Sequence, residues 1–188
     1  MYETADFKKG LKVMVEGKPY VIVDFQHVKP GKGNQFTRTK LRNLLTAQNL
    51  EVTFKSGEKF EVPNVENKEM TFLYKDESGY SFMDGETFEQ ITMSEDDLGE
   101  SKYYLTENLK VVILLYNEKA VAVDVPKAVN LKVAKSDPGI KGDRVSGATK
   151  PATMESGLVV NVPLHINEGD VLRIDTSSGE YVERVNQK

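Results

Sequence analysis

Lys12-Val13-Met14-Val15-Glu16-Gly17-Lys18-Pro19-Tyr20-Val21-Ile22-Val23-Asp24-Phe25 decides the fold. Two short runs rich in β-branched residues are separated by Gly17-Lys18-Pro19. Thr37 to Leu45 then alternates, with cations at every second position from Arg38 to Arg42, and Leu50–Phe54 and Lys59–Val62 follow across a Ser56-Gly57 turn. Five short strands in about 60 residues predict a small β-barrel. The same grammar continues. Met70–Tyr74, a turn at Asp76–Gly79, and Tyr80–Met83 lead to Asp84-Gly85, a tight-hairpin signal answered by Thr87–Thr92. Ser94 before Glu95-Asp96-Asp97 marks one helical turn. Leu109–Tyr116 and Ala120–Val125 make a hairpin around Asn117-Glu118-Lys119. Asn130–Ala134, a polar stretch from Ser136 to Lys150, Leu158–Val162, Asp170–Asp175 and Glu180–Val185 complete the chain. The expected fold class is all-β, with three small domains at 1–64, 65–127 and 128–188 and junctions near Pro63 and Pro126.

Of the 188 residues, 39% are hydrophobic, enough for packed cores. No cysteine is present, which excludes disulfides, thiolate metal ligands and a thiol nucleophile. The first residues lack the apolar stretch of a signal peptide, and no apolar run is long enough to span a membrane, so the expected location is cytoplasmic with no membrane partner. The net charge of −4 is unevenly spread: +4 over residues 1–64, −8 over 65–127 and zero over 128–188. A basic end on an acidic chain points to a polyanionic partner there.

Catalysis needs a positioned base or nucleophile. His27 and His165 are the only histidines, and both read as packing or surface residues. Glu95-Asp96-Asp97 reads as an acidic helix start favoured by the helix dipole. No phosphate-binding loop, dinucleotide fingerprint or EF-hand loop is present. The expectation is a protein with no catalytic residues, no metal and no cofactor.

One loop stands out. Val28-Lys29-Pro30-Gly31-Lys32-Gly33-Asn34-Gln35-Phe36 joins two alternating strands. Pro30-Gly31 suits the centre of a type II turn, where proline fixes the first φ and glycine accepts a positive second φ. Lys32 then sits at a tip between glycines. In the following strand Arg38, Lys40 and Arg42 are spaced by two and project from one face. With Lys29 and Lys32 they form a cationic stripe, suited to phosphates of structured RNA. No aromatic residues interleave, so base stacking is not indicated.

These residues resemble the elongation factor P family. Lys29-Pro30-Gly31-Lys32-Gly33 with Phe36 is similar to the family's tip loop. Pro138–Gly147, Lys150-Pro151-Ala152, Gly157–Pro163, Glu168–Thr176 and Gly179–Arg184 follow the family pattern in order. The resemblance covers the chain from Phe7 to Arg184. It implies an SH3-like amino-terminal barrel and two OB-folds, arranged as an elongated L-shaped mimic of transfer RNA. It implies a monomeric, non-enzymatic elongation factor that binds the ribosome, both rRNA and ribosomal proteins, between the exit and peptidyl-tRNA sites. There it stimulates peptide bond formation at consecutive prolines. The partners implied are the ribosome, peptidyl-tRNA and a lysine-modifying enzyme acting on Lys32. Gly142, Asp143, Arg144, Ser146 and Gly147 match a third-domain loop near the exit-site codon. Tyr181 and Arg184 match positions near the small subunit. Gln35 departs from the small residue that commonly precedes the Phe. Two other readings stay open on the residues: a paralogue within the same family, and a generic OB-fold RNA-binding protein. An enzyme with an unrecognised site is the third, and the absent His/Cys chemistry argues against it.

Overall fold

The computed structural model describes residues 1–138 and 147–185. The chain folds as two compact units: Met1–Glu66 with Tyr116–Lys119, and Asn67–Leu115 with Ala120–Lys188. The strands are β1 (Tyr2–Glu3), β2 (Lys12–Val15), β3 (Lys18–Val28), β4 (Phe36–Asn43), β5 (Asn49–Lys55), β6 (Lys59–Phe60), β7 (Val65–Asp76), β8 (Gly79–Asp84) and β9 (Gln90–Met93). After the helical turn α1 (Glu95–Leu98) and a 3₁₀ segment Gly99–Tyr104 come β10 (Lys110–Tyr116), β11 (Lys119–Asp124), β12 (Ala128–Ser136), β13 (Thr149–Met154), β14 (Val159–Pro163), β15 (Val171–Asp175) and β16 (Tyr181–Val185).

In the first unit, β2-β3-β4-β5 form an antiparallel meander and β1 pairs with β6. Its core is aromatic. Phe7, Phe54 and Phe60 are buried, and Phe25 packs against them. Phe7 meets Phe25 and Phe54 edge-on at 6.3 and 6.1 Å, and Phe54 meets Phe60 at 4.7 Å. Such contacts add directionality to apolar burial. β4 alternates without interruption: Thr37, Thr39, Leu41 and Asn43 face inward and are buried, while Arg38, Lys40 and Arg42 are exposed.

The second unit contains two five-stranded sheets, ordered β11-β10-β7-β8-β9 and β14-β13-β12-β15-β16. Each has its own core. One is centred on Phe72, Phe82, Met93 and Ile113, the other on Val133, Met154, Val162, Ile166 and Leu172. Leu109 and Val125 pack against both. Tyr104, from the 3₁₀ segment, is buried within the second core. That burial is the main cause raising its pKa, with Glu100 and Asp175 adding to it. Thr176 donates from its hydroxyl to the Pro126 carbonyl and from its N–H to the Lys127 carbonyl.

Several sequence expectations are corrected. Asp84-Gly85 is not a two-residue hairpin. The loop runs from Gly85 to Glu89, with Asp84 Oδ1 accepting from the Glu86 N–H at 2.8 Å and Phe88 at φ 60°. Thr149–Met154 is a strand despite Pro151. Its pairing with β12 reaches only to Ala152, so Pro151, opposite Asn161, lies outside that ladder. β7 begins at Val65 rather than Met70, and Tyr2–Glu3 adds a strand. The helical turn appears as expected, with Ser94 Oγ accepting from the Asp97 N–H. The hairpin turn Asn117-Glu118 has both φ positive, 49° and 67°, as a type I′ turn requires.

Gly79 occupies φ 129°, and a Cβ there would collide with the Met93 carbonyl oxygen. Gly79→Ala is therefore expected to cost about 2 kcal/mol or more. Chemical denaturation checks this as a lower midpoint with an unchanged slope.

Asp84 and Asp175, each at the end of a strand, titrate with the fold. Asp84 is held below the ordinary carboxylate range chiefly by the Glu86 N–H, with Thr87 N–H and Lys68 assisting against desolvation. Asp175 is held low by the Ser177 hydroxyl and then by the Ser177 and Ser178 N–H groups. A depressed native pKa means the unfolded chain takes up protons first as the pH falls. The stabilisation is complete at neutral pH and disappears below about pH 4. Asp84→Asn with Asp175→Asn keeps an acceptor oxygen but removes both titrations. Thermal melts should show the double variant losing less of its midpoint than the wild type between about pH 5 and pH 3.

Candidate nucleic-acid interface

The β3–β4 hairpin carries the candidate residues of the first unit. Its rungs are set by backbone pairing, and residues opposite each other share a face. On the outer face Val28 stands opposite Phe36, Gln26 opposite Arg38, Asp24 opposite Lys40 and Val21 opposite Arg42. The next strand extends these rungs to Lys55, Thr53, Glu51 and Asn49. Arg38, Lys40 and Arg42 therefore do lie side by side, exposed, along one face. The Arg38 guanidinium sits over the Phe36 ring, 5.6 Å from its centre. This contact orients the arginine along the strand toward the loop end of the hairpin.

The loop Lys29–Gln35 is exposed throughout, Lys32 included. Its turn is not the expected one. Gly31 does not take a positive φ; Gly33 does, at 123°. A Cβ on Gly33 would lie 3.8 Å from the Pro30 ring, so the chain folds back over the proline. Among the described residues no backbone hydrogen bond closes the loop; the Gln35 carbonyl instead accepts from the Ser56 N–H at 3.1 Å. At the loop's base, His27 Nδ1 and Thr37 Oγ1 are 2.9 Å apart, and Phe25 packs edge-on to the His27 ring. A rigid base thus ends in an unbraced tip.

The other candidates belong to the second unit. Gly147, at φ 89°, precedes β13. Tyr181 stands opposite Ile174 and is half-buried against the core, so its ring is largely committed to packing. Arg184 is exposed, opposite Leu172, with a guanidinium nitrogen 3.9 Å from Asp170. Gly142, Asp143, Arg144 and Ser146 lie outside the described residues. Among the described residues no group of three His, Cys, Asp or Glu side chains is placed to hold a metal ion. No helix among them is long and apolar enough to cross a membrane.

Sequence reading missed three residues on the outer face of the β3–β4–β5 meander. Lys55 adds a cation at the loop end, while Asp24 and Glu51 flank Lys40 on both sides. Strict alternation does not reveal Asp24, because a β-bulge at Val23 shifts the register between Ile22 and Asp24.

Three family models match in series: the elongation factor P (EF-P) KOW-like domain over residues 3–60, the EF-P OB domain over 65–123, and the elongation factor P C-terminal domain over 129–184. The chain is 86% identical over 188 residues to elongation factor P of Bdellovibrio bacteriovorus, covering all of both chains. It is 48% identical over 184 residues to elongation factor P of Wolinella succinogenes, covering 98% of each. Among solved structures it is similar to the eukaryotic translation initiation factor 5A from Methanococcus jannaschii, with a TM-score of 0.51 and 24% identity, over 65% of this chain and 92% of that one. That likeness is one of fold. The matches define a translation elongation factor made of a KOW-like, SH3-type barrel, an OB domain and a C-terminal β domain. Within that class, the chain belongs to the elongation factor P family.

Proposed function

We infer that the protein binds the ribosome between the exit and peptidyl-tRNA sites and promotes peptide bond formation at consecutive prolines through Lys32. One observation carries this reading: an exposed lysine between two glycines ends a hairpin whose base is rigid and basic, in a chain 86% identical to a protein named elongation factor P. We read the chain as three modules, 1–64, 65–127 and 128–188, and the three matched intervals support that division.

The work proposed is positioning. Proline is a constrained, poor nucleophile, and the reacting ends sample unproductive poses. Holding the peptidyl-tRNA end recovers part of the orientation cost. Lysine brings a point charge on a flexible stem, suited to a phosphate backbone deep in a groove. Its reach is about 6 Å from Cα, and a covalent extension would roughly double it. An unbraced loop with Gly33 at its return gives a lysine-modifying enzyme access to Lys32. The outer face of β4 then lies toward rRNA or tRNA, with Arg38 and Arg42 as its phosphate contacts. The acidic second module suits a basic ribosomal protein. In the third module Gly142, Asp143, Arg144, Ser146 and Gly147 serve the loop near the exit-site codon, and Arg184 with Tyr181 the small subunit. The protein acts as a cytoplasmic monomer, without catalytic residues of its own.

Protein isolated from its native cells is expected to carry a covalent extension on Lys32. Peptide mass mapping checks this; an unmodified Lys32 in nearly all molecules would remove the modification from the reading, leaving the ribosomal role to be tested separately.

Lys32→Ala should leave stability within about 0.5 kcal/mol, because the tip buries nothing. Ribosome affinity should persist, since contact is spread over several phosphates. Rescue should fall at least tenfold, the loss of about 1.4 kcal/mol of transition-state stabilisation. A reconstituted translation assay on a Pro-Pro-Pro template, run at equal occupancy, measures it. Wild-type rates from Lys32→Ala would refute the role given to this residue.

A further inference from the structure

One rung on the outer face of the β3–β4–β5 meander differs from its neighbours. Lys40 stands opposite Asp24 on β3 and opposite Glu51 on β5. The Lys9 ammonium lies 3.7 Å from Asp24 Oδ1. The order across the sheet is therefore Lys9, Asp24, Lys40, Glu51: four exposed side chains of alternating sign and zero sum. The rungs on either side hold Arg38 between Gln26 and Thr53, and Arg42 between Val21 and Asn49, with no carboxylate in either.

Asp24 reaches this face only because of the bulge. Ile22 points into the core opposite Leu41, and strict alternation would turn Asp24 inward as well. Val23 is the extra residue; it restores the outward direction to Asp24 and lands it beside Lys40. Bulges commonly re-aim a side chain at a working surface.

The distances decide what this rung does to an anion. Cross-strand neighbours have Cβ atoms about 5 Å apart, and same-face neighbours along a strand are about 7 Å apart. Lys40 thus has Asp24 and Glu51 as nearer same-face neighbours than either arginine. A phosphate on Arg38 or Arg42 lies within about one Debye length of both carboxylates at physiological salt.

We propose that Asp24 and Glu51 limit the strength of RNA contact on this face: they neutralise Lys40 and leave Arg38 and Arg42 as the two phosphate-binding side chains. The inference rests on the RNA-facing reading of β4 and deepens it. Arginine suits the role, because its guanidinium can hold a phosphate through two hydrogen bonds. The carboxylates weaken each contact at a distance without blocking it. Because both carboxylates are exposed, their effect falls on the salt dependence of binding and on association as well as on dissociation. A factor that acts at one stall and must serve the next gains from such a limit.

The test uses the full-length protein with two probes: ribosomes carrying peptidyl-tRNA, and an A-form RNA hairpin of arbitrary sequence. Dissociation constants are measured between about 50 and 200 mM salt for the wild type, Asp24→Asn, Glu51→Gln, the pair together, Lys40→Gln, Arg38→Gln and Arg42→Gln. The Asp24→Asn change keeps an acceptor for the Phe25 N–H that Asp24 Oδ1 now takes at 3.0 Å, and thermal melts confirm that each variant folds. Each carboxylate removed should tighten binding about threefold, the Coulomb energy of one unit charge at about 7 Å in water being close to RT. Lys40→Gln should weaken binding less than either arginine substitution. An Asp24→Asn/Glu51→Gln protein that folds but binds no tighter, or a Lys40→Gln as damaging as Arg38→Gln, overturns the inference while salt-dependent wild-type binding leaves the RNA-facing reading intact. Wild-type binding without salt dependence to either probe overturns both.

Discussion

A backbone that turns each successive side chain to the opposite face leaves the eight residues of β4 two tasks at once. Thr37, Thr39, Leu41 and Asn43 must fill the barrel, so Phe36, Arg38, Lys40 and Arg42 must meet solvent. Slipping β4 by one residue against β3 or β5 would bury three cations and expose Leu41. The aromatic core that Phe7, Phe25, Phe54 and Phe60 build is what holds the register. The charged face is thus a consequence of packing. Its position relative to the loop cannot drift without unfolding the unit.

Rigidity declines along the hairpin in a way that suits a probe. The base is fixed by core packing and ladder hydrogen bonds on both sides of β4. His27 and Thr37 brace the last rungs. Beyond Val28 the chain has only the Pro30 ring folded against Gly33. A side chain at such a tip keeps its rotamer freedom until it meets a partner. The ordering cost then falls on one residue, because the strands that aim it are already in place.

Much of this was legible in the sequence because it follows from period and punctuation. The alternation in Thr37–Leu45 and the glycines around Lys32 are local signals, and the order of family motifs from Phe7 to Arg184 is a global one. What was hidden depends on context. Pro151 disguises β13, since whether a proline disrupts a ladder depends on where the neighbouring strand stops. Asp84-Gly85 looks like a two-residue turn, yet the Asp84 carboxylate captures the following N–H groups and widens the loop to five residues. At the tip, Pro30-Gly31 fits a type II turn by residue type, but the positive φ falls on Gly33. The bulge at Val23 is the costliest omission, because one unpaired residue decides which charges face Lys40.

Tyr104 bears on how such a chain can be rearranged. Its ring leaves the sheet region that precedes Pro126 and completes the core built by the strands that follow it. Gly179, at φ 75°, stays bare beside the phenol: a Cβ there would come within 3.2 Å of Oη. A cut at the Pro126 junction would look clean on the sequence. It would leave one half with an unsupported aromatic ring and the other with an aromatic-sized void. Recombination between relatives would have to exchange the two halves together, or match Tyr104 to its glycine across the crossover. The boundary that partitions the sequence does not partition the folding free energy.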